Sequence, residues 1–183
     1  MSVPRLDINH SAVLVVDMQQ KLLPHMYNAQ PLTAAAARLI DAANALQIPI
    51  LVTEQYRKGL GPTVPPLASR LGDAVCNLEK LKFSACIEPI RSELSRLGRR
   101  SVVVCGIEAH VCVLQTCLDL TACGQITALA CDATGSRREL DHRAAEQRMI
   151  QAGIIPTTVE SAVLEWVHEA GSERFKSILP IIK

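Results

Sequence analysis

Aromatic residues make up only 3% of this 183-residue chain, and its charges nearly cancel. The 19 Lys and Arg residues against 18 Asp and Glu residues leave a formal net charge of +1 at pH 7. A protein held mainly by nucleic-acid phosphates or by anionic lipid needs an excess of positive charge, and a base-stacking surface needs aromatic rings. We therefore expect no nucleic-acid partner and no membrane partner.

The sequence also lacks an apolar run near the roughly 18 residues of a membrane span, and its first residues lack the apolar core of a signal peptide. It has seven cysteines but no Cys-x-x-Cys pair, and its five histidines have no metal-ligand spacing. Cysteines in apolar stretches behave as small hydrophobic residues. We expect a cytoplasmic protein with reduced thiols, formed by a single domain over residues 1–183.

Short apolar runs rich in β-branched residues alternate with longer segments of helical period. The runs are Ala12–Val16, Pro49–Thr53, Ser101–Cys105, Ile126–Ala130 and Gly153–Thr157, with a weaker one near Ala74–Leu78. Continuous apolar runs are typical of strands covered on both faces, as in a parallel sheet. The helical segments are Leu32–Leu46, Pro89–Leu97, Val111–Ala122, Glu139–Ala152, Val159–Ala170 and Ser172–Leu179. This alternation predicts an α/β fold.

One stretch, Glu54–Asp73, departs from this alternation because it is rich in glycine and proline. We interpret it as a long loop, and loops of that length often line a site or a subunit contact.

Ligands of open α/β sheets bind at the carboxyl ends of the strands, and that rule selects Asp17, Lys80 and Cys112 as candidates. Cys112 lies just after a predicted strand, at the opening of a helix. Amide groups and the helix dipole there are expected to lower a thiol pKa and to hold a developing oxyanion. Asp17 is suited to exchange a proton with the thiol, and Lys80 to support both charges. Such a set supplies a nucleophile and an acid/base group.

Other interpretations of these residues stay open on pattern alone. Asp17 suits a loop hydrogen-bond acceptor equally well, and Lys80 and Lys82 suit solvated surface charges. Cys112 suits simple packing, and Cys105 and Cys131 at strand ends are rival nucleophiles. His110 is a nearby base, but it lies two residues from Cys112 and so faces another side of a helix.

The chain resembles the isochorismatase-like (cysteine hydrolase) family, which includes nicotinamidases and N-carbamoyl amidases, over nearly its whole length. The carriers, in order, are LVVDMQ (Leu14–Gln19), TEQYRKGLGPTVP (Thr53–Pro65), EKLKFSA (Glu79–Ala85), VVVCGIEAHVCVLQTCLDL (Val102–Leu120) and DATGSR (Asp132–Arg137). The resemblance implies a three-layer αβα fold whose six-stranded parallel sheet has the order 3-2-1-4-5-6. It also implies a homo-oligomer.

The resemblance assigns catalytic roles by position. It implies that Asp17 is the acid/base group, that Lys80 is the catalytic lysine in preference to Lys82, and that Cys112 is the nucleophile. It further implies a non-proline cis peptide bond between Ile107 and Glu108. That bond would aim the amides from Ala109 to Cys112 at the oxyanion. The substrate-pocket candidates are Gln19, Glu54, Gln55, Tyr56 and Phe83.

Nicotinamidases in this family hold a metal with an Asp-x-His pair and a further histidine after the second strand. This chain has Thr53-Glu54-Gln55-Tyr56 there and no histidine between Tyr56 and Ala109. We therefore expect no metal and no cofactor. The leading hypothesis is a cysteine hydrolase that cleaves a small amide or related C–N bond of a small-molecule substrate through a thioester. The alternatives are an enol-ether hydrolase of the isochorismatase type and a non-catalytic oligomeric binding module.

Overall fold

The computed structural model describes residues 3–72 and 76–183. A six-stranded parallel sheet forms its centre, with the strand order β3-β2-β1-β4-β5-β6. The strands are β1 (Ser11–Val16), β2 (Ile50–Gln55), β3 (Cys76–Lys80), β4 (Ser101–Ile107), β5 (Ile126–Gly135) and β6 (Ile155–Thr157). The α/β fold and the predicted strand order are confirmed.

Helices connect the strands and cover the sheet. They are α1 (Ala29–Ala45), α2 (Arg57–Leu60), α3 (Pro65–Leu71), α4 (Glu88–Arg96), α5 (Leu114–Ala122), α6 (Glu139–Gln151), α7 (Val159–Val167) and α8 (Glu173–Ile182). A short 3₁₀ helix covers Leu23–His25, and a π-helix covers Ala109–Val113. Within the described residues, no helix is both long enough and apolar enough to cross a membrane.

The stretch Glu54–Asp73 is more regular than we predicted. Glu54 and Gln55 complete β2, and α2 and α3 follow. Pro65 and Pro66 mark the start of α3, where a missing N–H costs no hydrogen bond. Proline here begins a helix, so the interpretation as one long loop is wrong. Asp73 lies outside the described residues, as do Ala74 and the residue after it in the predicted third strand.

Alternating side chains of the central strand β1 face two apolar layers. Val13 and Val15 pack with α1, α3, α7 and α8, while Leu14 and Val16 pack with α4, α5 and α6. All four side chains are fully buried. Because successive strand residues point to opposite faces, a strand with helices on both sides must be apolar throughout. This explains why the run has no polar alternation.

β1 and β4 lie close together at their carboxyl ends. Val16 pairs with Gly106, and a Cβ atom on Gly106 would overlap the carbonyl oxygen of Val16. Gly106 also has a φ of 124°, which L side chains rarely adopt. Only glycine therefore fits here, and this close approach brings the residues after β1 next to those after β4.

Candidate active site

Asp17 is buried directly after β1, where its φ of 53° lies in the left-handed region. Asparagine and aspartate are the side chains enriched in that conformation. One carboxylate oxygen accepts a 2.9 Å hydrogen bond from the Thr53 hydroxyl. The other oxygen accepts a 2.6 Å hydrogen bond from Lys80 Nζ. Two neighbouring strand ends therefore hold this carboxylate in place.

Lys80 is the last residue of β3 and is only 4% exposed. Besides Asp17, its ammonium donates to Gln55 Oε1 at 3.0 Å. It also donates to the carbonyl oxygens of Lys82 at 3.2 Å and Phe83 at 2.8 Å. A buried charge is tolerated when its partners replace water. The chain that follows β3 thus turns back to supply acceptors for this lysine.

Cys112 lies in the π-helix after β4 and is 6% exposed. Its thiol lies close enough to the Asp17 carboxylate for the charge of Asp17 to raise the pKa of the thiol. The Cys112 carbonyl accepts a 2.6 Å hydrogen bond from the Thr116 hydroxyl. π-helical turns are rare and occur often at functional sites. We call Asp17, Thr53, Gln55, Lys80 and Cys112 the site cluster.

The protonation of the site cluster differs from what the helix position suggested. Burial, followed by the charge of Asp17, raises the pKa of the Cys112 thiol to about 12, against the opposing effect of Lys80. Burial also raises the pKa of Asp17 above its ordinary value, although Lys80 opposes this shift. The prediction of a lowered thiol pKa is therefore wrong. Desolvation and a neighbouring carboxylate outweigh the helix terminus, so the resting sulfur is a neutral thiol.

The peptide bond between Ile107 and Glu108 is cis, at the position that the resemblance implies. The Glu108 carbonyl accepts hydrogen bonds from the amides of Val111 at 3.0 Å and Val113 at 3.2 Å. The Glu108 carboxylate contacts Arg137 Nε at 2.8 Å. The amide of Val111 therefore already donates to the Glu108 carbonyl. The amides that remain as candidate donors to an oxyanion are those of Ala109, His110 and Cys112.

Gln19 and Glu54 do not face the site cluster. Gln19 makes three hydrogen bonds, from Nε2 to the carbonyls of Gln55 and Gly61 and from the Gln55 amide to Oε1. Glu54 accepts hydrogen bonds from the amide and hydroxyl of Thr63 and pairs with Arg57 at 3.1 Å. Because strand side chains alternate, Glu54 points away from the face that carries Thr53 and Gln55. We call Gln19, Glu54 and Thr63 the loop anchor.

The remaining pocket candidates differ in their contacts. Gln55 supports Lys80 and donates to the Leu81 carbonyl at 2.9 Å. Tyr56 and Phe83 are about half exposed, and both contact Lys80 through the backbone: the Tyr56 amide donates to the Lys80 carbonyl at 3.0 Å, and the Phe83 carbonyl accepts from Lys80 Nζ. Their rings lie at the surface.

The rival residues lie elsewhere. His110 Nδ1 lies 3.0 Å from Ser136 Oγ, so its contact is with Ser136. Cys105 is fully buried, and burial raises its thiol pKa to about 12. Cys131 is half-buried, and its sulfur faces the Leu129 carbonyl at 3.6 Å.

Two threonines that the sequence analysis did not select support the site. Thr53 donates to Asp17. The Thr116 hydroxyl donates to the Cys112 carbonyl and accepts from the Ala85 amide at 2.8 Å. The alternation of β2 was a usable signal for Thr53, because it places Thr53 and Gln55 on one face. Within residues 3–72 and 76–183, no three His, Cys, Asp or Glu side chains are grouped as metal ligands.

Comparison with known proteins gives consistent matches over most of the chain. The model of the isochorismatase domain matches residues 11–161. The secreted isochorismatase effector Isc1 of Phytophthora sojae is 38% identical over 181 residues, covering 96% of this chain and 86% of that protein.

Solved structures are similar as well. The MAR1 ribonuclease of Caenorhabditis elegans has a TM-score of 0.94 and 40% identity, covering 98% of this chain and 92% of that one. YcaC of Pseudomonas aeruginosa, solved with hexane-2,5-diol and covalent acrylamide, has a TM-score of 0.88 and 26% identity, covering 99% and 93% of the two chains. With the isochorismatase domain spanning residues 11–161, the chain belongs to the family of isochorismatase-like hydrolases.

Proposed function

We propose that this chain is a cysteine hydrolase that cleaves a small amide or a related C–N bond through a thioester on Cys112. One observation carries the proposal. The Asp17 carboxylate accepts a hydrogen bond from Lys80 Nζ at 2.6 Å, and the Cys112 thiol lies close enough for the charge of Asp17 to raise its pKa. A nucleophile, a proton acceptor and a fixed positive charge therefore meet in one buried place.

Acylation begins with a proton transfer from Cys112 to Asp17. The sulfur attacks the substrate carbonyl as the proton leaves, because a thiol whose pKa is about 12 holds little free thiolate at neutral pH. The raised pKa of Asp17 makes this carboxylate a stronger base than an exposed aspartate. Asp17 then gives the proton to the leaving amine, and the C–N bond breaks.

The developing oxyanion needs donors that are in place before the reaction. The amides of Ala109 and Cys112 take this role in our proposal. The amides of Val111 and Val113 are occupied by the Glu108 carbonyl. In the second half of the reaction, Asp17 accepts a proton from the water that attacks the thioester. The C–S bond then breaks, the acid leaves, and Asp17 returns the proton to the Cys112 sulfur. The Lys80 ammonium stabilises the Asp17 carboxylate whenever that carboxylate is charged.

The relatives support a reactive site, but their names indicate different reactions. The Pseudomonas YcaC structure contains acrylamide bound covalently, and acrylamide is a small amide that alkylates thiols. The C. elegans relative is a ribonuclease. RNA cleavage at this chain's site would need groups that bind phosphate, and the site cluster has Lys80 as its one cation, already paired with Asp17. We therefore favour a small carbonyl substrate.

The test is a turnover screen over small amides, carbamoyl compounds, enol ethers and a short RNA, with intact-mass detection of an acylated chain. We expect an amide or carbamoyl substrate, an adduct that maps to Cys112, and a loss of about 10⁴-fold or more in turnover for Cys112→Ala. Cys105→Ala is the matched control, because Cys105 is fully buried in the apolar layer opposite to that of Cys112, so its replacement should leave the adduct intact. Full turnover by Cys112→Ala would refute the thioester mechanism. Turnover of the enol ether alone would favour the isochorismatase-type reaction, and no turnover or adduct would favour a binding module.

Three further expectations belong to this proposal. We propose that the whole chain acts as one catalytic domain, that it assembles as a homo-oligomer, and that it resides in the cytoplasm. Leu81 and Phe83 are exposed next to Lys80, and exposed apolar side chains of this kind are typical of surfaces covered by a partner. Light scattering tests the assembly. Cell fractionation tests the location, since the Phytophthora relative is a secreted effector.

A further inference from the structure

A second pair of cysteines lies outside the site cluster. Cys86 and Cys123 both line a surface cavity of about 370 Å³, together with Ser84, Arg91 and Asp119. Cys86 comes just before α4, and Cys123 is the residue that ends α5. The two thiols are close enough for Cys123 to contribute to the raised pKa of Cys86. The fold therefore brings two thiols together that are separated by 37 positions in the sequence (123 minus 86).

The two thiols differ in accessibility. Cys86 is 7% exposed, whereas Cys123 is exposed. The Arg91 guanidinium donates to the Cys86 carbonyl at 2.8 Å, and its charge favours the ionised form of the Cys86 thiol. Burial, with the neighbouring Cys123, raises the pKa of Cys86 to about 11. A thiol-reactive solute therefore meets Cys123 first, and Cys86 is positioned behind it.

We propose that Cys86 and Cys123 are a modification site that forms a reversible intramolecular disulfide when a low-molecular-weight disulfide, such as oxidised glutathione, reacts at Cys123. An exposed attacking thiol with a buried second thiol lining the same cavity is the arrangement that thiol–disulfide exchange requires. The cavity gives the small disulfide access to Cys123, and Arg91 stabilises Cys86 as it loses its proton.

The exchange has two balanced steps. Cys123, after losing its proton to water, attacks one sulfur of glutathione disulfide, so that a mixed disulfide forms and one glutathione thiolate leaves and is protonated. Cys86 then loses its proton and attacks the Cys123 sulfur, which breaks the mixed disulfide and releases the second glutathione. The protein loses two hydrogens and two electrons, and the glutathione disulfide is reduced to two thiols.

The bridge would form in the segment that also supports the site cluster. The Lys82 and Phe83 carbonyls accept hydrogen bonds from Lys80. Two residues further on, the Ala85 amide donates to Thr116, which in turn holds the Cys112 carbonyl. Cys86 is the next residue of this segment. A disulfide here therefore joins the chain that positions Lys80 to the far end of the helix that follows Cys112.

Peptide mapping of the intact chain tests the proposal. The protein is incubated with oxidised glutathione, its free thiols are alkylated, and it is digested with trypsin and Asp-N protease. Cys86 is then in residues 83–91, and Cys123 is in residues 119–131 together with Cys131. We expect these two peptides to be cross-linked, with a mass lower by two hydrogens than their sum, and dithiothreitol to release them.

Two serine variants give the matched comparison. Cys123→Ser should abolish the cross-link, and Cys131→Ser, which changes the other cysteine of the same peptide, should retain it. Both sites are at least partly exposed, and circular dichroism before oxidation checks that both variants are folded. The proposal is overturned if Cys123 keeps glutathione while Cys86 is alkylated. It is equally overturned if the cross-link persists in Cys123→Ser, or if non-reducing electrophoresis shows that the bridge joins two chains.

Discussion

The site cluster and the loop anchor both bury polar side chains near the carboxyl ends of β1 and β2, yet they differ in the groups at which their hydrogen-bond networks end. In the loop anchor, Gln19 forms hydrogen bonds with backbone groups, and Glu54 forms them with Thr63 and pairs with Arg57. In the site cluster, the same kind of network includes the Asp17 carboxylate, whose charge acts on the neighbouring Cys112 thiol. A buried network that ends on protein groups stabilises a loop, whereas one that ends on a nucleophile can react.

Replacing Asp17 should give the largest effect on turnover, because Asp17 belongs to the site cluster and not to the loop anchor. Asp17→Asn keeps the shape but removes the proton acceptor, so we expect turnover to fall by about 10²- to 10⁴-fold, the usual contribution of a general base. The measurement is kcat on a substrate from the screen. A kcat close to that of the unmodified protein would show that Asp17 does not take the proton.

Lys80→Met should produce the largest loss of stability. Lys80 and Asp17 form a buried ion pair at 2.6 Å, and breaking such a pair by removing one partner costs about 3–5 kcal/mol. Urea unfolding measures this cost. The double variant Asp17→Asn, Lys80→Met removes both charges, so it should be more stable than Lys80→Met alone. Equal stability of the two variants would mean that no buried charge was left uncompensated.

Glu54→Gln should affect the loop anchor alone. The amide replaces a carboxylate that accepts two hydrogen bonds from Thr63 and pairs with Arg57. We expect a loss of about 1–3 kcal/mol in unfolding free energy, with the rate of Cys112 alkylation unchanged. A slower alkylation in Glu54→Gln would mean that the two networks are coupled through β2.

The pH dependence of Cys112 alkylation tests the site cluster without any substitution, so it should give the smallest effect. Burial raises the pKa of this thiol to about 12, above the roughly 8.5 of a free cysteine. The rate at which iodoacetamide alkylates Cys112 in the folded chain should still rise at about pH 10. In the urea-unfolded chain, the same rate should level off above the ordinary thiol pKa near 8.5.

The same shift makes folding favour the neutral thiol. Its contribution to stability is therefore fully present below the ordinary thiol pKa and is lost as the pH rises toward about 12. A plateau of the folded-state alkylation rate near neutral pH would instead indicate a preformed thiolate and would remove the need for Asp17 as a base.

The parts of the fold that follow from local pattern were predictable. β1 and β4 are continuous apolar runs, because both faces of a central parallel strand are covered by helices. Helix ends next to glycine, such as α6 before Gly153, were also predicted close to their observed positions. The proline-rich stretch was misread, because Pro65 and Pro66 read as loop residues until their place at the first turn of α3 is known.

The candidate site was predictable in part. Asp17, Lys80 and Cys112 could be selected because each follows a predicted strand or lies just past one, and parallel strands end at the same edge. Glu54 and Gln19 satisfied the same rule but belong to the loop anchor. The rule selects an edge of the sheet and does not distinguish the two faces of a strand. The pKa of the Cys112 thiol could not be predicted from the sequence either, because it depends on how deeply the sulfur is buried and which charges surround it.

The amino-acid sequence by itself determined that β-branched runs and helices alternate, that charge is balanced, and that an acid, an amine and a thiol each lie just after a predicted strand, since these properties depend on neighbours in the chain. Only the tertiary structure decided that Lys80 pairs with Asp17, that the Cys112 thiol stays protonated, and that Cys86 meets Cys123. Those outcomes depend on distances between residues far apart in sequence and on the water that packing removes from around them.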